Sequence, residues 1–192
     1  DHALRAVKCL VERGAEVKVQ VVGTGEAGPM LRRLADELGL GARVEFTGPL
    51  PEPDKDALLR RAHVLLHTSQ REGWGLNVIE ANAMGTPAVV YPVAGRVEST
   101  LHRETGLVAK EETPDALADS LQDLLKAPEA YQRYRRNAWD RAKTFHWSKV
   151  LPQACDWLEG QARREARNRG RPGTEDGRQT ADDRPRTNLR EA

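Results

Sequence analysis

At 192 residues the chain has room for one domain, or one domain with an appendage. Charged residues make up 31% and aromatics 5%, but the net charge is only +1, which removes the overall basic field expected of a nucleic-acid binder. Cys9 and Cys155 make neither a metal spacing nor a disulfide framework, and no apolar run approaches the ~20 residues of a membrane span, so the expected setting is reducing and cytoplasmic.

The first element is a helix over 2–13, with Ala3, Leu4, Val7, Leu10 and Val11 at helical spacing and Gly14 as its stop. A strand follows over 17–22 and turns at Gly23-Thr24-Gly25. Pro29 opens a second helix carrying Leu31, Leu34, Ala35 and Leu38, which ends at Gly39. A short strand over 43–46 leaves into Thr47-Gly48-Pro49, a helix spans 54–62, and an apolar strand spans 64–66. Leu76 to Met84 reads as a helix closed by Gly85, and 87–91 as the next strand. After a helical turn (97–101) and a small strand (106–108), Thr113-Pro114-Asp115 starts a helix with an N-cap, a proline at its first position and an early acid. Two more helices are expected over 129–143 and 148–160.

This alternation predicts an α/β fold, a doubly wound parallel sheet with right-handed crossovers and helices on both faces. Ligands of such sheets sit at the carboxyl ends of the strands, so the loops at 23–28, 47–53, 68–75 and 92–96 should converge on one crevice. Residues 1–160 are expected to form this domain. From residue 161 the pattern dissolves into Arg, Gly, Asp and Pro, with Leu189 the one large apolar residue. The segment 161–192 holds nine arginines against six acids, a surplus of +3 that leaves the body at −2, and it reads as a disordered polar tail.

The stretch Arg71-Glu72-Gly73-Trp74-Gly75-Leu76 joins a strand to a helix through glycines. It aims backbone N–H groups and the positive end of the helix dipole at one point, which suits an anion such as a phosphate. Glu80 lies on that helix among Leu76, Val78, Ile79, Ala81 and Ala83, so the helix is expected to be surrounded by protein. A carboxylate there must find donors. Two sugar hydroxyls would serve, and so would a neighbouring backbone or basic side chain. Trp74 is either a ring over a ligand or a plug in the core.

Other motifs carry competing readings. Gly23-Thr24-Gly25-Glu26-Ala27-Gly28 matches G-x-G-x-x-G, with Glu45 where a ribose-binding acid would stand in an NAD-type module. A helix precedes this strand, however, and Pro29 follows the last glycine, which favours a turn lining the crevice. Asp54-Lys55-Asp56 matches a metal-holding D-x-D, but in the first turn of a helix its acids complement the dipole. His63, His67, His102 and His146 show no ligand spacing, and no metal site is expected.

Together Thr68-Ser69-Gln70-Arg71-Glu72-Gly73-Trp74-Gly75-Leu76 and Glu80-Ala81-Asn82-Ala83-Met84-Gly85-Thr86-Pro87 resemble the C-terminal domain of family 4 retaining GT-B glycosyltransferases. The likeness extends to Val22-Gly23-Thr24-Gly25, to Val44-Glu45-Phe46-Thr47-Gly48, to Thr105-Gly106-Leu107-Val108 and to Phe145-His146-Trp147, roughly residues 1–159 in all. The resemblance implies transfer of a sugar from a nucleotide-diphosphate donor with retained configuration. It implies that Glu80 holds the donor ribose hydroxyls and that Glu72 lies beside the donor sugar. Backbone N–H groups of Gly73, Trp74, Gly75 and Leu76 would meet sugar and diphosphate, Gly25 would line the crevice, and the loop with Gly48 and Leu50 would border the base. No cofactor or metal is implied beyond the nucleotide sugar itself.

The implied partners are that donor and a glycan, lipid or small-molecule acceptor, with no nucleic acid. By this resemblance an N-terminal acceptor domain, through which the enzyme could meet a membrane surface, is expected to be missing from this chain. So are the domain's first strand and the basic pair that clamps the diphosphate. On this reading the chain alone is a poor catalyst or a non-catalytic nucleotide-binding fragment, and the NAD-type module is the alternative from another class.

Overall fold

The computed structural model describes residues 1–169 apart from Glu72 and Gly95. Its contacts divide the chain into two units, Asp1–Lys149 and Val150–Ala192, a division that falls ahead of the domain boundary expected at 160.

The expected alternation is present. In order come α1 (His2–Glu12), β1 (Val19–Val22), α2 (Gly28–Glu37), β2 (Val44–Gly48), α3 (Glu52–Arg61), β3 (Leu65–His67), α4 (Leu76–Ala83), β4 (Ala88–Val90), α5 (Arg96–Ser99) and β5 (Gly106–Val108). Then follow α6 (Pro114–Lys126), α7 (Pro128–Ala142), a 3₁₀ turn (Lys143–Phe145) and α8 (Trp147–Arg169). Every strand pairing among the described residues is parallel. The ladders nevertheless form two groups, β1–β2 and β3–β4–β5.

Helix α1 joins these groups. Leu4 and Val7 pack with Ala35, Leu40 and the side chains of Val19, Val44 and Phe46 over the β1–β2 pair. Ala6 and Leu10, on the adjoining face, pack with Val89, Tyr91, Leu107, Leu117 and Leu121 over the three-stranded sheet. Each buried leucine here is worth about 1.5–3 kcal/mol relative to exposure. The His2 imidazole adds a directional tie, its Nδ1 lying 2.7 Å from the Tyr91 hydroxyl just past the end of β4. All three residues of β4 are buried, as a central strand covered on both faces requires.

Local signals hold where the sequence placed them. The Thr113 hydroxyl accepts the Ala116 N–H at 3.3 Å and caps α6. At the end of α4 the Gly85 N–H bonds the Asn82 carbonyl and the Thr86 N–H bonds the Ala81 carbonyl, both at 2.9 Å, the pattern of a Schellman stop. The buried Thr86 hydroxyl donates to the Leu59 carbonyl at 2.6 Å, tying the end of α3 to the approach to β4.

Helix α8 departs from expectation. It runs on through Arg169, past Gly160, so residues 161–169 are helical where a disordered tail was expected. The Glu159–Arg163 pair at 3.0 Å spans one turn, and alanine and arginine are favourable helix residues. Residues 170–192 of that tail lie outside the described residues. Among the described residues no helix is long and apolar enough to cross a membrane.

A Cβ at Gly106 would stand 2.2 Å from the Ala88 carbonyl oxygen across the β4–β5 ladder. Gly106→Ala therefore separates these strands and destabilises by about 3 kcal/mol or more, measured as a lowered denaturation midpoint. Asn82 is fully buried and neither its Oδ1 nor its Nδ2 has a hydrogen-bond partner. Asn82→Leu is expected to raise stability by about 1 kcal/mol, because an unsatisfied amide leaves the interior; a lowered midpoint would contradict this.

Candidate functional site

Parallel strands bring their carboxyl ends to one side, and the loops named from the sequence leave from those ends. Those after β1 and β2 are joined directly, the Gly23 N–H bonding the Gly48 carbonyl at 2.8 Å. Gly25 is exposed in the first of them. Gly48, with φ +73°, bends β2 towards α3, and Leu50 sits half-buried in that bend.

The loop after β3 holds the central motif. Gly75 adopts the left-handed conformation (φ +70°, ψ +52°) and is the N-cap of α4. A side chain at this position would meet a cost of about 1–2 kcal/mol. No side chain caps the helix; within its first turn the Val78 N–H bonds the Gly75 carbonyl at 2.9 Å. Gly73 is exposed beside this turn. Glu72, the expected catalytic residue, lies outside the described residues.

Helix α4 is not surrounded as expected. Val78, Ala81 and Asn82 form its buried stripe, but Leu76 is 66% exposed and Asn77 and Ala83 are exposed too. The expectation counted apolar residues around the wheel; the helix packs through one face and keeps part of its first turn in solvent.

Glu80 lies between these surfaces, its side chain 42% exposed. Its Oε2 accepts from Lys55 Nζ at 3.0 Å, and Lys55 also stands 3.6 Å from Glu52 Oε1. Lys55 is the basic neighbour that the alternative reading of this carboxylate expected. Glu80 draws the Lys55 ammonium above its ordinary value, chiefly through this hydrogen bond. Sequence reasoning missed Lys55, attending to the acids on either side of it. The available signal was a cation in the opening turn of a helix, where the dipole disfavours it unless an acid from elsewhere meets it.

The Trp74 ring is half-buried and meets Phe145 edge to face, with centroids 5.4 Å apart. That places the ring against the domain; the ligand-facing reading of its side chain has no support in this contact. Asp54 lies in the first turn of α3 as a dipole-complementing acid. Among the described residues no group of three or more His, Cys, Asp or Glu side chains is placed to hold a metal ion.

The G-x-G-x-x-G run does not show dinucleotide geometry. Gly28 begins α2, and a Cβ at Gly25 or Gly28 would meet nothing within 4 Å, so neither glycine serves a close helix–strand approach. The Glu45 carboxylate is engaged along the sheet, accepting from Gln20 Nε2 at 2.9 Å. Cavities elsewhere, about 240 Å³ beside Arg5 and Arg33 and about 370 Å³ beside Arg103 and Arg133, do not border Glu80.

Comparison with known proteins agrees with this layout. Residues 1–141 match the family described as "Glycosyl transferases group 1". The chain is 33% identical over 156 residues to the D-inositol 3-phosphate glycosyltransferase of Corynebacterium glutamicum (strain R), covering 78% of this chain and 37% of that protein. Among solved structures, a sucrose-phosphate synthase from Thermosynechococcus elongatus superposes with a TM-score of 0.73 at 24% identity, covering 83% of this chain and 42% of the other. Anabaena HepE, solved with UDP-glucose, superposes with a TM-score of 0.72 at 22% identity, covering 83% and 44%. These structural likenesses show the fold. The chain thus spans under half the length of the relatives it matches.

Proposed function

Because the chain belongs to the group 1 glycosyltransferase family, we propose that it forms the donor-binding half of an enzyme that moves a sugar from a nucleotide diphosphate to an acceptor with retention of configuration. The observation that carries this reading is the half-exposed Glu80 carboxylate on α4, one turn from an N-terminus without a side-chain cap. A diphosphate suits the N–H groups at that helix start, and a vicinal diol suits the carboxylate.

In this proposal Glu80 accepts hydrogen bonds from the donor ribose. Gly73, Trp74, Gly75 and Leu76 contribute main-chain N–H groups to the sugar and diphosphate, so Trp74 acts through its backbone while its ring anchors the loop on Phe145. Gly25 lines the crevice, Gly48 and Leu50 border the base, and Glu72 lies beside the donor sugar. Charge that builds on the departing diphosphate is met by the α4 dipole. The donor nucleotide is the one small molecule we assign to the site, and the bound UDP-glucose of HepE supports that choice of class.

We also propose that a further parallel strand belongs between β1 and β3. One doubly wound order is 3-2-1-4-5-6, and the groups β2–β1 and β3–β4–β5 fit that order with its first strand left out. Residues that clamp the diphosphate would sit at the end of that strand, and a separate domain would take a glycan, lipid or small-molecule acceptor, at a membrane surface where the acceptor is a lipid. A cytoplasmic setting fits a nucleotide-sugar donor. The open sheet also favours a second reading, in which the 192 residues alone bind nucleotide without turning it over.

Calorimetric titration with UDP, GDP and their glucose conjugates tests the proposal in the protein as its host makes it. A nucleoside diphosphate should bind, and Glu80→Ala should weaken it about tenfold or more, the worth of hydrogen bonds to a charged group. Binding unaffected by Glu80→Ala, or no binding of any nucleoside diphosphate, would overturn the assignment.

A further inference from the structure

Lys55 has two carboxylates within reach. Its ammonium is bonded to Glu80 Oε2 at 3.0 Å and stands 3.6 Å from Glu52 Oε1. Glu52 and Lys55 share the first turns of α3, whereas Glu80 comes from α4, so the Lys55–Glu80 pair is the one that links two elements. Lys55 is the more covered partner, with its side chain 28% exposed against 42% for Glu80 and 78% for Glu52. An ion pair between such partly covered groups is screened less than a surface pair, and its geometry is restrained on one side by packing.

A carboxylate meets a vicinal diol most directly with one oxygen for each hydroxyl. Each carboxylate oxygen has two lone-pair sites, so Oε2 can hold a lysine N–H and still accept a hydroxyl, provided the lysine fixes the plane of the carboxylate. An unpaired Glu80 would rotate, and its negative charge would stand unneutralised near an incoming diphosphate. The ammonium answers both problems. When a hydroxyl crowds Oε2, Glu52 offers the lysine a second acceptor without its leaving the site.

Resting on the donor-binding reading above, we propose that Lys55 is the positioning residue of the ribose subsite: it orients and neutralises Glu80 so that the carboxylate selects a ribonucleoside diphosphate over its 2′-deoxy counterpart, with Glu52 holding the ammonium as the diol arrives.

The test is calorimetric titration of the protein as its host makes it, using UDP and GDP against 2′-deoxy-UDP and 2′-deoxy-GDP. Lys55→Met is expected to weaken the ribonucleotide about tenfold more than the deoxy form, so the preference for ribose collapses. Lys55→Arg should restore most of that preference, and Lys55→Met should add little once Glu80→Gln is present, since the two act as one unit. A merely structural role would lower the thermal midpoint and weaken ribo and deoxy forms in parallel, and that outcome overturns the proposal. So does a Lys55→Met protein that keeps the wild-type ribose preference. If the unsubstituted protein binds the ribonucleotide but shows no preference over the deoxy form, the ribose subsite falls while donor binding stands; if it binds no nucleotide, both fall.

Discussion

Burial of α1 against two separately hydrogen-bonded groups of strands is the constraint on which the rest of this fold depends. Backbone hydrogen bonds do not connect β1–β2 to β3–β4–β5 among the described residues. The connection is apolar instead, with Leu4 and Val7 serving one group and Ala6 and Leu10 the other. A helix that divides its apolar surface in this way fixes where the loops after β1 and β2 lie relative to those after β3 and β4. The crevice is therefore set by side-chain packing as much as by sheet geometry, and the His2–Tyr91 contact gives that packing a direction.

The site itself combines a fixed dipole with an adjustable ion pair. Gly75 begins α4 in a conformation that a residue with a side chain adopts only under strain, and this leaves the first-turn N–H groups without a side-chain cap. One turn further on, Glu80 is held by a lysine from the neighbouring helix. Positive potential at the helix start and negative charge at Glu80 are thus separated along a single element. That arrangement suits a ligand with an anionic part and a hydroxyl-rich part.

The sequence was most legible where local chemistry decides the outcome. Thr113-Pro114 marks the start of α6, the Asn82–Thr86 segment contains the stop of α4, and Gly106 opens β5 where a backbone approach excludes any side chain. What remained hidden depends on partners distant in the chain. Lys55 and Glu80 are separated by 25 residues, and nothing in either neighbourhood announces the other. The apolar wheel of α4 suggested enclosure because composition does not reveal which face has a layer to pack against. Trp74 met Phe145 from across the domain, a pairing that flanking glycines could not indicate. The extension of α8 was missed for a different reason: low hydrophobicity argues against packing but does not forbid a helix sustained by its own i, i+4 pairs.

The interrupted sheet has a consequence for how this chain behaves in a tube. Strands β1 and β3 each have one side without a ladder partner among the described residues. Such borders recruit extended segments from other copies, and the short apolar strands here carry few of the lysines and prolines that discourage it. Solubility at high concentration is therefore a property of how those borders are covered, and a fragment prepared without cover should form oligomers whose growth is slowed by dilution.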